Sequence, residues 1–328
     1  MKSRVPVIPA SLFGIVLGLI ALGDCWRAAH FAWETSPTIP DAIMVVAEVV
    51  WAVLVLLFVA KWVLHRDAAR AEIEHPVQSS FVSLIAVSTL LISYLVDEKS
   101  HHAAVVIFAI ALIGGVAYGA NFAARLRRGE LDPTTLTPAV YLPTVATNLV
   151  ASFAAAFLGF HSLAVLLFGA GLLSWLMLES QIGFRLAFNT SLPPGLRPTM
   201  GILLAPPSVA CMAYLFITGG PKGPKPDNVV LGLIGYGLFI LLVLIRDLRW
   251  LLKQPFNTSY WAFSFGVGAL AFDIVLARAR GMSGFFDWMA KASLAVATLV
   301  IVALTIATLW QLVTGRLLKS PATAAATS

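Results

Sequence analysis

Charge is what this chain has least of. Asp, Glu, Lys and Arg make up 12% of its 328 residues, against about 25% in an ordinary soluble domain. With 59% hydrophobic residues and a mean hydropathy of +0.89, the composition excludes a soluble globular class and points to a membrane protein. Cysteine is almost absent as well. Cys25 and Cys211 both sit inside apolar runs and read as small core residues, not as a disulfide or a metal pair. His101-His102 has no Cys or His clustered nearby, so no metal site is expected. No nucleophile-and-base arrangement, phosphate loop or cofactor motif occurs. The expectation is a protein that is not an enzyme and carries no cofactor or metal.

What is present is a succession of apolar runs, each of about 20 residues and long enough to cross a bilayer as helix. Ten spans are read at 10–31, 42–64, 79–96, 102–125, 139–159, 162–187, 199–218, 228–250, 258–277 and 288–315. Lys2 and Arg4 before the first run imitate a secretory signal. The run continues past Leu22 without a small-x-small cleavage site, however, so it is read as the first span. Almost no length remains for a soluble domain. Residues 1–320 are read as one transmembrane domain and residues 321–328 as a disordered cytoplasmic tail.

Of the 22 Lys and Arg residues, fifteen fall at the termini and after even spans, seven on the other side. The richer side belongs to the cytoplasm, which places both termini there. The net charge of +6 follows from basic loops beside anionic lipid and calls for no nucleic-acid partner.

A proline stands just before each odd span, at Pro9, Pro76, Pro138, Pro198 and Pro255, spaced 67, 62, 60 and 57 residues apart. One such proline is ordinary at a helix start. Five in series suggest five copies of a two-helix unit, all oriented alike. The expected fold is an all-α polytopic membrane protein of ten helices, arranged as five hairpins in a quasi-fivefold ring. Even spans are mostly Val, Leu, Ile and Ala. Odd spans carry the breakers and small polar residues, so they are expected to face inward. Candidate pore-lining residues are Gly14, Gly18, Ser83, Pro143, Thr147, Pro206, Pro207, Gly266 and Gly268. Proline within a span frees carbonyls that only neighbouring helices or a water-filled cavity satisfy. Close helix packing is the competing reading of the glycines.

Few ionisable residues lie within the spans. Asp24 and Arg27 stand three apart near the outer end of the first, Glu48 lies in the second, and Asp273 precedes Arg278 in the ninth. Structural pairing or lining of an outer vestibule is expected for Asp24, Arg27, Glu48 and Asp273, with proton coupling as the alternative. The centres of the odd spans contain no Lys, Arg, Asp, Glu or His.

Phe13-Gly14-Ile15, Tyr141-Leu142-Pro143, Met200 through Pro206 and Trp261-Ala262-Phe263-Ser264-Phe265-Gly266 together resemble the tellurite-resistance/dicarboxylate transporter family, whose plant branch is the guard-cell slow anion channels. The likeness covers nearly the whole chain. It implies a homotrimer of the bacterial inner membrane in which each protomer holds its own pore, lined by odd helices and occluded by a phenylalanine. Phe265 matches that gate. Phe263, about 200° away around the helix, faces elsewhere. Gly266 and Gly268 would leave the Phe265 ring room to swing. Two functions stay open. One is an anion channel for chloride, nitrate and similar small monovalent anions. The other is a proton-coupled carrier or exporter for dicarboxylates, tellurite or other oxyanions.

Overall fold

The computed structural model describes residues 6–131 and 136–317. The expected tail at 321–328 lies outside them, as do Lys2, Arg4 and Lys319. Ten helices are long and apolar enough to cross a membrane: span 1 Ala10–Trp33, span 2 Thr38–Leu64, span 3 Gln78–Asp97, span 4 His101–Arg127, span 5 Pro138–Phe157, span 6 His161–Phe188, span 7 Pro194–Ile217, span 8 Asn228–Arg246, span 9 Thr258–Ala279 and span 10 Phe285–Val313. The chain is therefore an all-helical, multi-pass membrane protein.

Odd and even spans differ in backbone as well as composition. Each even span is one uninterrupted α-helix. Every odd span opens irregularly. Spans 1 and 9 begin with 3-10 turns at Ala10–Phe13 and Thr258–Trp261. In span 3 the short helix Gln78–Val82 breaks at Ser83 before Leu84–Asp97. Span 5 runs through a 3-10 turn and a π turn, Leu142–Ala146, before its α-helix. Span 7 holds a 3-10 stretch over Pro194–Leu204. Proline explains much of this. Pro143 donates no N–H within the π turn, and Pro206 and Pro207 occupy the first turn of Ala205–Ile217, where missing donors cost least.

The odd spans pack on one another: span 1 on spans 3 and 9, span 5 on spans 3 and 7, and span 7 on span 9. Close approach is possible because glycine meets small residues there. A Cβ on Gly268 would lie 2.6 Å from that of Ala21, and one on Gly18 would lie 2.4 Å from Ser264 Oγ. Dispersion at such contacts is what holds helices together in lipid, where apolar transfer gives nothing. Even spans pack against odd ones and leave residues such as Leu56, Ile113, Leu166, Leu242 and Leu299 exposed. The short turn between spans 5 and 6 rests on Gly159 with φ +86°, a conformation costly to other residues.

A buried ion pair ties the loop after span 2 to the start of span 1. Lys61 Nζ lies 2.5 Å from Glu72 Oε2 and also donates to the Ile8 carbonyl, while Glu72 Oε1 accepts the Ala10 N–H.

Candidate functional site

Two cavities lie between the odd spans, one at each end. The one at the amino-terminal ends of the odd spans, named inner after the orientation expected from the basic loops, is about 50 Å³ and is walled by the opening turns: Ser11 and Gly14 of span 1, Phe81 of span 3, Tyr141 of span 5, Pro206 of span 7 and Thr258 of span 9. Its deeper wall includes Leu17, Leu149, Val209 and Phe265. No Asp, Glu, Lys, Arg or His is among its lining residues. The outer cavity, about 250 Å³, is walled by the far halves of the same five spans, through Asp24, Tyr94, Phe153, Phe216 and Phe272. Arg27, His30, Asp41 and Glu98 stand at its rim.

Phe265 is 7% exposed. Phe263 lies on another face of span 9, packed against Gly201 and stacked on Tyr260. The glycines beside them are already in use. A Cβ on Gly266 would come within 2.9 Å of the Leu204 Cβ, and Gly268 rests on Ala21. Their bare faces admit neighbouring helices, so the expected room for the ring to swing is not found there.

The other candidates divide in the same way. Gly14 and Pro206 line the inner cavity, whereas Gly18 meets Ser264 and Trp261 of span 9. Ser83 Oγ donates to the Ser80 carbonyl at the helix break. Thr147 Oγ1 donates back to the Leu142 carbonyl across the π turn, and its methyl faces Gly115 of span 4. The Pro143 carbonyl lies against Gly119, and Pro207 is buried beside Pro206.

Among the charged candidates the local pairs expected from spacing do not form. Asp24, 5% exposed, accepts the Tyr94 hydroxyl on both carboxylate oxygens, at 2.8 and 2.7 Å. Arg27 reaches across to Glu98 at 3.2 Å and Asp41 at 3.9 Å. Glu48 binds Lys99 at 2.7 Å. Arg278 bonds Asp287 of span 10, not Asp273. Asp273 is fully buried beside the Cys211 thiol, and neither of its oxygens takes a hydrogen bond that meets ordinary geometry. Partners brought by neighbouring elements have displaced partners three or five residues away.

Other groups escaped the sequence reading. The outer cavity holds a chain of aromatic contacts, Tyr94 to Phe153 at 5.0 Å, Phe153 to Phe216 at 4.6 Å and Phe216 to Phe272 at 6.2 Å. One aromatic near the far end of four odd spans was the available signal. Glu179 of span 6 accepts from Tyr141, Trp175 and Tyr236, one donor each from spans 5, 6 and 8; Trp175 stands one helical turn away in sequence, but nothing local reveals Tyr141 or Tyr236.

The odd spans thus border two cavities, one lined without charged side chains and the other with Asp24, Arg27, His30, Asp41 and Glu98 among its lining residues. Residues 8–309 match the family model described as voltage-dependent anion channel. The chain belongs to this family. It is 34% identical over 265 residues to the tellurite resistance protein TehA homolog of Haemophilus influenzae, covering 80% of this chain and 79% of that one. The S-type anion channel SLAH3 of Arabidopsis thaliana is 23% identical over 313 residues, which cover 92% of this chain and 48% of that protein. The guard cell S-type anion channel SLAC1 of the same plant is 22% identical over 271 residues, covering 78% of this chain and 47% of that one.

Proposed function

We propose that this chain is an anion channel of a bacterial inner membrane, passing small monovalent anions through a pathway inside each protomer. The observation that carries the reading is the shared wall. The same five odd spans enclose both cavities, and Phe265 stands on the deeper part of the inner one. In this reading the spans close into a quasi-fivefold ring around the pathway and the Phe265 ring is its plug. An aromatic side chain across a narrow apolar passage keeps water out, and an ion cannot cross without hydration.

Anion preference needs no fixed cation. Five helices enter with their amino-terminal turns around the inner cavity, so the positive ends of their dipoles meet there. Hydroxyls of Ser11, Thr258 and Ser259 add donors. With no charged side chain on the inner cavity to bind one anion tightly, selection among monovalent anions follows dehydration cost, and nitrate passes at least as well as chloride. The protein works as a homotrimer with both termini in the cytoplasm, and Asp24 and Arg27 belong to the outer vestibule.

One observation favours a second reading. The unbonded, buried carboxylate of Asp273 is the kind of group a proton-coupled carrier or exporter of dicarboxylates, tellurite or other oxyanions uses. Current and flux measured together on purified protein, at varied voltage and pH, separate the two. The channel gives a current equal to the flux and an anion-selective reversal potential. Flux without matching current, or a reversal potential that tracks the proton gradient, supports the carrier. Strong chloride preference or cation permeation counts against the proposed selectivity.

A further inference from the structure

The wall of the outer cavity carries the wrong charge for an anion. Its lining includes the carboxylates of Asp24, Asp41 and Glu98 against the guanidinium of Arg27 and the imidazole of His30. Arg27 is engaged by Glu98 and Asp41. His30 holds the Thr35 carbonyl through Nδ1. Among the described residues Asp24 receives a hydrogen bond only from the Tyr94 hydroxyl, a single proton shared between two oxygens, with the Arg27 charge nearby but not bonded to it. Spans 5, 7 and 9 present Phe153, Phe157, Phe216, Phe272 and Leu276 to the cavity, and none of these brings a charge. Asp273 sits behind that wall beside the Cys211 thiol, and Glu48 is held by Lys99.

We infer that Asp24 is a rate-setting charge in the pathway: as carboxylate it brakes anion passage through the outer cavity, and as the neutral acid it lets anions through. The inference rests on the channel reading above. A unit charge acts strongly at short range inside a protein because little water screens it. Asp24 is buried, its hydrogen-bond capacity is mostly unused, and it lies on the wall that an anion crossing the cavity must pass. Addition of one proton converts the carboxylate to the acid and removes the repulsion, while the Tyr94 hydroxyl keeps the side chain in place. Passage is then faster in acid. Protonation of His30 would act in the same direction, so the two have to be told apart.

The test is chloride current through the purified full-length protein in planar bilayers, recorded for the wild type and in a Phe265→Ala background. Asp24→Asn should raise the current at about pH 8 by about tenfold, the effect of removing roughly 1.4 kcal/mol of repulsion. As the pH falls from about 8 to about 4, through the imidazole range and down to the ordinary carboxyl range, the Asp24 protein should gain current and the Asn variant should stay flat. His30→Gln should retain the acid gain. Asp24→Ser, which keeps an acceptor for Tyr94, should match Asn and covers the case in which Asn does not fold. A purely structural role for Asp24 would lower yield without flattening the pH profile. If Phe265→Ala conducts but both neutral variants show unchanged current, or keep the acid gain, the brake is overturned. If His30→Gln alone abolishes the gain, the charge responsible is His30. Absence of anion current in every variant at every pH would overturn the channel reading itself.

Discussion

In the most apolar stretch of each odd span, 72 to 89% of residues are buried, against 17 to 28% in the even spans. Yet in each consecutive pair of an odd and an even span the even member is the more apolar helix. A soluble protein would show the opposite order, because there water drives the most apolar residues inward. In a bilayer the acyl chains are as apolar as leucine, so side-chain hydrophobicity no longer selects what lies inside. The inside goes to residues that gain from protein contact: glycines that let helices touch, hydroxyls that bond across a turn, and prolines whose freed carbonyls need partners. The difference teaches that in this fold burial follows shape and hydrogen bonding, and hydropathy marks the lipid face.

Several substitutions break or sharpen this contrast. The largest effect is expected at Lys61, an even-span residue that is nevertheless buried, because its removal strands Glu72 in a dry contact. Lys61→Met should cost about 3–5 kcal/mol, seen as lost folded yield in detergent; replacing Lys61 and Glu72 together by Met and Leu should recover most of it. Next comes the inner seam. Gly268→Leu drives a side chain into Ala21 of span 1 and should cost about 1–3 kcal/mol or more, whereas Gly114→Leu enters open space in span 4 and should leave thermal unfolding unchanged. Equal losses at both positions would refute the contrast.

A smaller effect is expected where an odd span bonds an even one. Trp261 Nε1 donates to Thr308 Oγ1 at 2.8 Å. Thr308→Val should cost roughly 0.6 kcal/mol, the average for such bonds in membranes, readable as a slight fall in unfolding temperature. The smallest effect lies at an exposed helix end. The Tyr214 hydroxyl, followed by the Val230 and Val229 amides, holds the Asp227 carboxyl below its usual range. A carboxylate with a lowered folded value stabilises the native state fully above the ordinary Asp range near pH 4, and that increment is lost as pH falls through the lowered value. Asp227→Asn should therefore lower stability slightly at neutral pH and erase its difference from wild type in strong acid.

The ten spans were legible because a run of about 20 apolar residues has few other uses, and their limits agree with the structure to within a few residues at nearly every end. Inward and outward roles were legible too, from where Pro143, Pro206, Gly266 and their counterparts fall. Partners were not. Asp24 with Arg27 and Asp273 with Arg278 looked paired because they are close in sequence, but the packing of span 3 on span 1 brings Tyr94 and Glu98 nearer, and span 10 brings Asp287 to Arg278. Gly18, Gly266 and Gly268 could be placed on the inner helices, yet nothing local distinguishes a glycine facing a cavity from one facing Ser264, Leu204 or Ala21. Such contacts depend on which helices become neighbours, a property no single span encodes.

The central claim is that the odd spans enclose one anion pathway interrupted at Phe265. It is tested most directly by planar-bilayer recordings of Phe265→Ala beside Phe263→Ala. The two rings belong to the same turn of span 9, one facing the inner cavity and the other packed on Gly201. The account predicts normal yield and a large gain in anion current for Phe265→Ala. For Phe263→Ala it predicts no gain, and a loss of stability of up to about 3–5 kcal/mol, the upper range for a packed ring. A stable Phe265→Ala protein that stays closed, or an equal gain from Phe263→Ala, would contradict it.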